Sequence, residues 1–157
     1  MVRAMSFTNL KTLHEELNEL FTRHQEALRA ADLTLAAARL SAFEESLREH
    51  IALEEERLLP IYRRAGRIPG GPEEFFTGEH AKLLAMLTQY RAVLEQLRRE
   101  GGSPGRGIIR LFDLGAAFKN LTEHHHQREE IIFFPALDRV ATDEEKQAIL
   151  DVNRKGA

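Results

Sequence analysis

Residues 47–60 read LREHIALEEERLLP, and residues 123–135 read EHHHQREEIIFFP. In both segments a histidine is followed by glutamates four and five residues later and by a proline ten residues later. Four residues are about one helical turn, so the histidine and the first glutamate lie on the same side of a helix. Imidazole and carboxylate together suit iron, manganese or zinc better than calcium or magnesium. The repeated segment therefore predicts two metal-ligand pairs, His50 with Glu54 and His125 with Glu129.

Composition excludes several classes of protein. The chain has 157 residues, 43% hydrophobic and 30% charged, with a net charge of −3, which predicts a single globular domain over residues 1–157. No basic segment dominates, so nucleic acid and anionic membrane are not expected partners. The chain has no cysteine, which excludes disulfides and thiolate metal sites. The N-terminal residues lack the apolar run of a secretory signal. No segment approaches the roughly 20 apolar residues of a membrane span, so we expect a cytoplasmic protein.

Apolar residues recur at spacings of three and four, which predicts an all-α domain. The expected long helices span about residues 6–30, 33–62, 73–100 and 107–140, with a bend at Pro135, and a short last helix spans about residues 143–153. Thr142 to Glu145 has the pattern of a capping box. Because the connections within the first pair and within the second pair of long helices are short, we expect an up-down-up-down antiparallel four-helix bundle.

The direction of each side chain on its helix distinguishes inward-facing histidines from the others among the seven in the chain. Advancing about 100° per residue places His50, His80 and His125 on apolar stripes. On the first helix, both His14 and His24 border the stripe, so direction alone leaves both open. His124 falls off its stripe and His126 lies at the edge.

Depth along the bundle resolves the first helix, because residues equally far from a hairpin turn lie at the same level. His14 and His50 are each about 18 residues from a turn near residue 32, whereas His24 is about 8 residues away and would sit about 15 Å from that level. His80 and His125 are each about 22 residues from a turn near residue 103. One histidine from each helix therefore meets in a single layer, and the predicted metal ligands are His14, His50, Glu54, His80, His125 and Glu129.

Burying four imidazoles and two carboxylates without a partner is costly, so we favour a metal site over a neutral hydrogen-bonded network. The other histidines, His24, His124 and His126, are expected to be solvated, with outer-sphere contacts as the alternative for the last two. The side chains of Glu55 and Glu130 are expected in the outer sphere or on the surface. Tyr90 lies on a buried stripe, where a redox or hydrogen-bonding role is a hypothesis.

Four segments in order resemble hemerythrin-like, HHE-type cation-binding proteins over nearly the whole chain: LHEELNELF (13–21), REHIALEEERLLP (48–60), GEHAKLL (78–84) and HHQREEIIFFP (125–135). The resemblance implies a non-haem di-iron centre with an oxo or hydroxo bridge, in which the four histidines are terminal ligands and Glu54 and Glu129 bridge the ions. Zinc and manganese are the alternative metals.

The sequence departs from the oxygen-carrying members, which have two histidines one turn apart on the third helix. Phe76 and Leu84 occupy the positions one turn from His80. The chain is therefore similar to four-histidine bacterial relatives, which are associated with nitric oxide, peroxide and iron–sulfur cluster repair.

The function expected from this resemblance is binding of a small ligand (O2, NO or peroxide) for sensing, storage or stress response, at a site walled by Leu17, Leu47, Leu87 and Phe118. The alternatives are iron or NO handling in iron–sulfur cluster repair and a metal-stabilised interaction module. The lack of cysteine counts against a self-contained repair enzyme. Turnover does not follow from the ligands, because a sensor or carrier can use the same site, and no residue indicates an electron donor or a protein partner.

Overall fold

The structure, a computed structural model, describes residues 5–155, with side chains described through residue 151. Helices dominate this part of the chain, and no strand occurs in it. In chain order the α-helices are α1 (Lys11–Arg29), α2 (Leu33–Ala52), α3 (Leu59–Tyr62), α4 (Glu73–Glu100), α5 (Gly105–Arg128), α6 (Phe134–Val140) and α7 (Asp143–Lys155). Helix α1 packs along α2 and α4 along α5, while α2 contacts α4 and α1 contacts α5.

Local chemistry sets the first boundaries. A 3₁₀ turn, Phe7–Leu10, leads into α1, and the Ser6 hydroxyl accepts a hydrogen bond from the Thr8 backbone N–H at its start. Helix α1 ends where Ala31 adopts a left-handed conformation with φ of 57°. The Asp32 carboxylate then caps α2 by accepting from the Leu35 N–H at 3.0 Å. The break predicted at these two residues is confirmed.

Each repeated His/Glu segment ends in a π-helical turn. The two turns are Leu53–Leu58, after α2, and Glu129–Phe133, after α5. The backbone N–H that follows each turn donates to the carbonyl of the first glutamate five residues back, Leu59 to Glu54 and Phe134 to Glu129. A proline comes next, and its ring would clash with the carbonyl four residues earlier in a regular helix, so a wider turn is the expected accommodation. The bend expected at Pro135 stays a prediction, and the π turn Glu129–Phe133 lies just before this residue.

The predicted ligand layer lies between two apolar clusters. We call them the upper and the lower cluster. Along each long helical segment, the ligand histidine lies between a residue of the upper cluster and a residue of the lower cluster. The upper cluster includes Leu17, Leu47, Leu83 and Phe118. The lower cluster includes Leu10, Leu58, Phe76 and Phe133.

The predictions of an all-α helical bundle and of a short last helix are confirmed. Thr142 and Glu145 form the predicted capping box, because each side chain accepts the other's backbone N–H, at 3.1 and 2.9 Å. Among the described residues no helix has the length and apolarity needed to span a bilayer. The up-down-up-down order and the cytoplasmic location stay predictions, as does the single domain, whose limits 1 and 157 lie outside the described residues.

Truncation of Phe133 tests the lower cluster. Phe133 is fully buried, with ring centroids of Tyr62 and Phe76 at 4.9 and 4.8 Å. We expect Phe133→Ala to lower the free energy of unfolding by about 3–5 kcal/mol in urea titrations, because it removes a large core side chain. The matched control is Ile131→Ala, two residues earlier and 72% exposed, which should change the free energy by less than about 0.5 kcal/mol. Equal losses in both variants would contradict this packing.

Candidate metal centre

The structure brings all six predicted ligands together in the buried layer. Their ligand atoms form two groups, within each of which all atoms lie within 4.8 Å of one another. One group is His14, His50, Glu54 and Glu129, and the other is Glu54, His80, His125 and Glu129. Both groups contain both carboxylates, so each pair of histidines faces the same two glutamates from a different side.

The first group joins α1 and α2 to the two π turns. His14 Nε2 lies 3.1 Å from Glu129 Oε1, and His50 Nε2 lies 3.9 Å from the same oxygen. His50 Nε2 also adjoins Glu54 Oε1. Glu129 comes from the other half of the chain, so this group is complete only when both halves are folded.

The second group joins α4 and α5 to the same turns. His80 Nε2 lies 3.0 Å from Glu54 Oε2, and His125 Nε2 lies 3.2 Å from Glu129 Oε1. The Nε2 atoms of His80 and His125 are 3.1 Å apart. All four histidines therefore direct Nε2 toward the two carboxylates.

Most of the buried ligand atoms lack a proper hydrogen bond, although they lie close together. The atoms without a partner include both ring nitrogens of His14 and His50, Glu54 Oε1 and both oxygens of Glu129. Buried polar atoms are normally satisfied, and leaving one unpaired costs about 1–3 kcal/mol. Nitrogen and oxygen donors at this density fit metal ions that bind imidazole and carboxylate. The donor set thus fits the metal predicted from the sequence.

Carboxylates outside the layer accept hydrogen bonds from Nδ1 of the second histidine pair, His80 and His125. His80 Nδ1 donates to Glu55 at 2.8 Å, and His125 Nδ1 donates to Glu79 at 3.3 Å. Glu79 also accepts from Arg128 Nε at 3.1 Å. A protonated Nδ1 leaves the Nε2 lone pair free in a neutral imidazole, so these carboxylates select the tautomer that a metal needs.

The first histidine pair, His14 and His50, has weaker contacts between Nδ1 and outer carboxylates. His14 Nδ1 lies 3.9 Å from Glu130, whose carboxylate is also 3.9 Å from Lys11 Nζ. Glu55, expected in the outer sphere or on the surface, contacts the ligand His80 by a hydrogen bond, and Glu130 stands near His14 without a hydrogen bond to it. Sequence reasoning missed Glu79, although Glu55, Glu79 and Glu130 share one signal. Each adjoins a ligand in sequence, and their carboxylates lie 2.8, 3.3 and 3.9 Å from Nδ1 of a ligand histidine on a neighbouring helix.

The enclosed carboxylates control the charge of the layer. Burial opposes protonation of His50, but Glu54 and Glu129 outweigh it and raise the pKa of the ring to about 10. Burial likewise opposes protonation of His125, and the carboxylates, Glu129 foremost, raise its pKa to about 10. Burial also opposes ionisation of Glu129, yet the His125 imidazolium holds its pKa well below the usual range. Without metal, protons on imidazole balance the buried negative charge.

The expectation that His24 is solvated is wrong. His24 is fully buried, Nδ1 donates to the Ala36 carbonyl at 2.7 Å, and Nε2 lies 2.7 Å from the Tyr90 hydroxyl. Because Nδ1 carries the proton, Tyr90 donates to Nε2 of the neutral ring. Desolvation lowers the pKa of His24 and raises that of Tyr90. The hydrogen-bonding hypothesis for Tyr90 is thereby realised with a partner outside the ligand layer.

The two histidines beside His125 have different environments. His124 is exposed, as expected. His126 is only 6% exposed, so solvation was the wrong alternative for it. Its ring stacks on that of His14 with centroids 3.7 Å apart and planes 2° from parallel. Burial, reinforced by repulsion from His14, lowers the pKa of His126 to about 2, so the ring is neutral. His126 belongs to neither group of ligand atoms.

The raised histidine pKa values predict that metal binding releases protons. His50 and His125 stay protonated below about pH 10 in the metal-free protein, whereas a metal needs the neutral ring. Metal affinity should therefore rise with pH up to about pH 10, with about two protons released per chain at pH 7.5. Calorimetric titrations in two buffers of different ionisation enthalpy measure this release. A heat that does not depend on the buffer would contradict protonation of His50 and His125 in the metal-free protein.

Comparison with known proteins agrees with this geometry. A family model described as the hemerythrin HHE cation-binding domain matches residues 3–65 and 71–155. No curated protein and no solved structure matches the chain. The family match and the buried His/Glu cluster together support a metal-binding protein. The resemblance stated from the four sequence segments is confirmed, and the chain belongs to the hemerythrin HHE cation-binding domain family.

Proposed function

We propose that the protein holds two non-haem iron ions and binds a small ligand, O2, NO or peroxide, for sensing, storage or stress response. The observation that carries the proposal is the pair of ligand groups that share Glu54 and Glu129. Two histidines for each ion and two shared carboxylates are a donor set for two neighbouring ions rather than for one. Imidazole with carboxylate is compatible with iron, and the family resemblance implies it.

In this proposal His14 and His50 would hold one ion, His80 and His125 would hold the other, and Glu54 and Glu129 would contribute to both. Iron would supply redox chemistry and positions for an exogenous ligand. The chain supplies the fixed imidazoles and an apolar surrounding. On the second pair, Glu55 and Glu79 keep Nδ1 protonated and so keep Nε2 available.

Apolar residues cover the side of the layer that faces the upper cluster. Leu17, Leu47, Leu87 and Phe118, which the sequence predicted as the wall of the site, are all buried. An apolar wall strengthens the electrostatic interactions within the layer. Four histidines, rather than five, leave more positions open than in the oxygen carriers, which supports nitric oxide or peroxide chemistry over simple oxygen carriage.

The proposal includes the up-down-up-down order of α1, α2, α4 and α5. The short α1–α2 and α4–α5 connections support it, as does the pairwise packing within each pair. Arg39 also donates from α2 to the Arg23 carbonyl of α1 at 2.8 Å, at similar distances on either side of the turn. Such pairing is expected of an antiparallel helical hairpin.

Metal analysis tests the proposal directly. We expect about two irons per chain, with visible absorption, after loading with ferrous iron and oxidation in air. His50→Ala and Glu129→Gln should both lose iron and absorption, because each removes a donor from the layer. His124→Ala, an exposed histidine on α5, is the control and should bind as much iron as the unmodified protein.

Two outcomes would contradict the assignment. Full iron retention in both ligand variants would exclude these residues as ligands. Zinc as the bound metal, with no visible absorption after iron loading, would favour the metal-stabilised interaction module. Mixing the reduced protein separately with O2 and NO then distinguishes carriage from nitric-oxide chemistry, since a stable reversible O2 adduct would favour carriage.

The outer carboxylates should affect affinity without being ligands. Glu55→Gln weakens acceptance of the His80 Nδ1 proton, and we expect metal affinity to fall by about 10–100-fold. Glu56→Gln makes the same change at the next, exposed position and should leave affinity unchanged. Competition titrations with a chelator measure both constants. Identical affinities in the two variants would exclude a positioning role for Glu55.

A further inference from the structure

A cavity of about 450 Å³ opens between α1 and α5 and extends inward to the ligand layer. Its outer part is polar and includes Lys11, Asn18 and Lys119. Phe21, Phe43 and Phe118 lie deeper, and His14 and His126 also line the cavity. His14 is the one member of the six predicted ligands that lines it. The cavity therefore connects solvent with one side of the layer.

His126 is a second polar group of this cavity without a hydrogen-bond partner among the described residues, beside the predicted ligand His14. The residue is 6% exposed, and the contacts observed for its ring within the described part of the chain are ring contacts with neighbouring histidines rather than hydrogen bonds. The ring is instead held by its stack on His14 and by its edge-on approach to His50, with a centroid distance of 6.5 Å. A neutral imidazole offers one N–H donor and one acceptor.

We propose that this cavity admits the exogenous ligand and that His126 contacts the bound ligand by a hydrogen bond. The site then selects small ligands that accept a hydrogen bond, such as peroxide or azide, over less polar diatomic gases. This inference rests on the proposed iron centre. His126 is a specificity-determining residue in it, and not a metal ligand.

The choice of ligand class follows from what the cavity offers. O2 and NO are weak hydrogen-bond acceptors, and an entirely apolar pocket would admit them equally well. An imidazole beside the layer favours a molecule that must replace the hydrogen bonds it has lost from water, since unpaired buried polar groups are unfavourable. A polar ligand regains those bonds at His126, whereas a diatomic gas regains little.

Substitution of the ring tests the inference. His126→Phe keeps an aromatic ring to stack on His14 but removes both nitrogens. In the oxidised iron-loaded protein we expect the Kd for azide, from visible absorption, to rise about tenfold. NO binding to the reduced protein should change by less than about twofold. His126→Gln restores an N–H donor and should recover part of the azide affinity. His124→Phe, the same change at the exposed neighbour, should alter neither constant.

Access through the cavity has its own test. Asn18 lies at the polar outer part, and Asn18→Trp should slow azide association severalfold without changing iron content. Glu16→Trp places the same ring on an exposed position of α1 that does not line the cavity, and should leave the rate unchanged. Equal association rates in the two variants would overturn this access route.

The outcomes separate a specificity role from a structural one and from failure of the iron centre. If His126 only packs against His14, His126→Phe should leave both affinities intact, or should weaken azide and NO equally with loss of iron. Either result overturns the inference. If the unmodified protein binds neither azide nor NO, the proposed small-ligand function fails, whatever the variants do.

Discussion

The bundle is organised around the burial of four imidazoles and two carboxylates in one layer. An unpaired buried charge costs several kcal/mol, so each of these groups needs a partner of opposite charge, a hydrogen bond or a metal. Glu54 and Glu129 are almost completely buried. Their charge raises the pKa of His50 and His125. The helices, the π turns and the outer carboxylates all place donors around these two glutamates.

Much of this could be predicted from the sequence because α-helical rise and rotation are nearly constant. Counting from the turns brought His14, His50, His80 and His125 to one level, and the structure brings their ligand atoms together. Capping residues and glycine mark several helix ends in the sequence, such as Asp32 before α2 and Gly101 after α4. Such counting requires only that each helix be regular up to the layer.

Regularity ends at the π turns, and prediction weakened there. A π turn adds about one residue to a helical turn, so the residues beyond it rotate relative to an uninterrupted helix. Ile132, within the second π turn, is only partly buried, whereas Phe134, just after it, is completely buried. The environments of His24 and His126 depend on side chains from other helices, Tyr90 and His14, and a single helix's pattern contains no signal for them. The partners of Glu55 and Glu79 also come from neighbouring helices.

The polar layer also divides the hydrophobic interior. The upper and lower apolar clusters are separate and lie on opposite sides of the layer, although the same long helices pass through both. Cooperative unfolding relies on contacts that link all parts of a fold. Here the two clusters are linked through the histidines and glutamates of the layer. A metal shared by both halves of the chain would make the two clusters unfold as one unit. In the metal-free protein only contacts among these ionisable side chains remain in the layer, so we expect each cluster to open more independently in local unfolding.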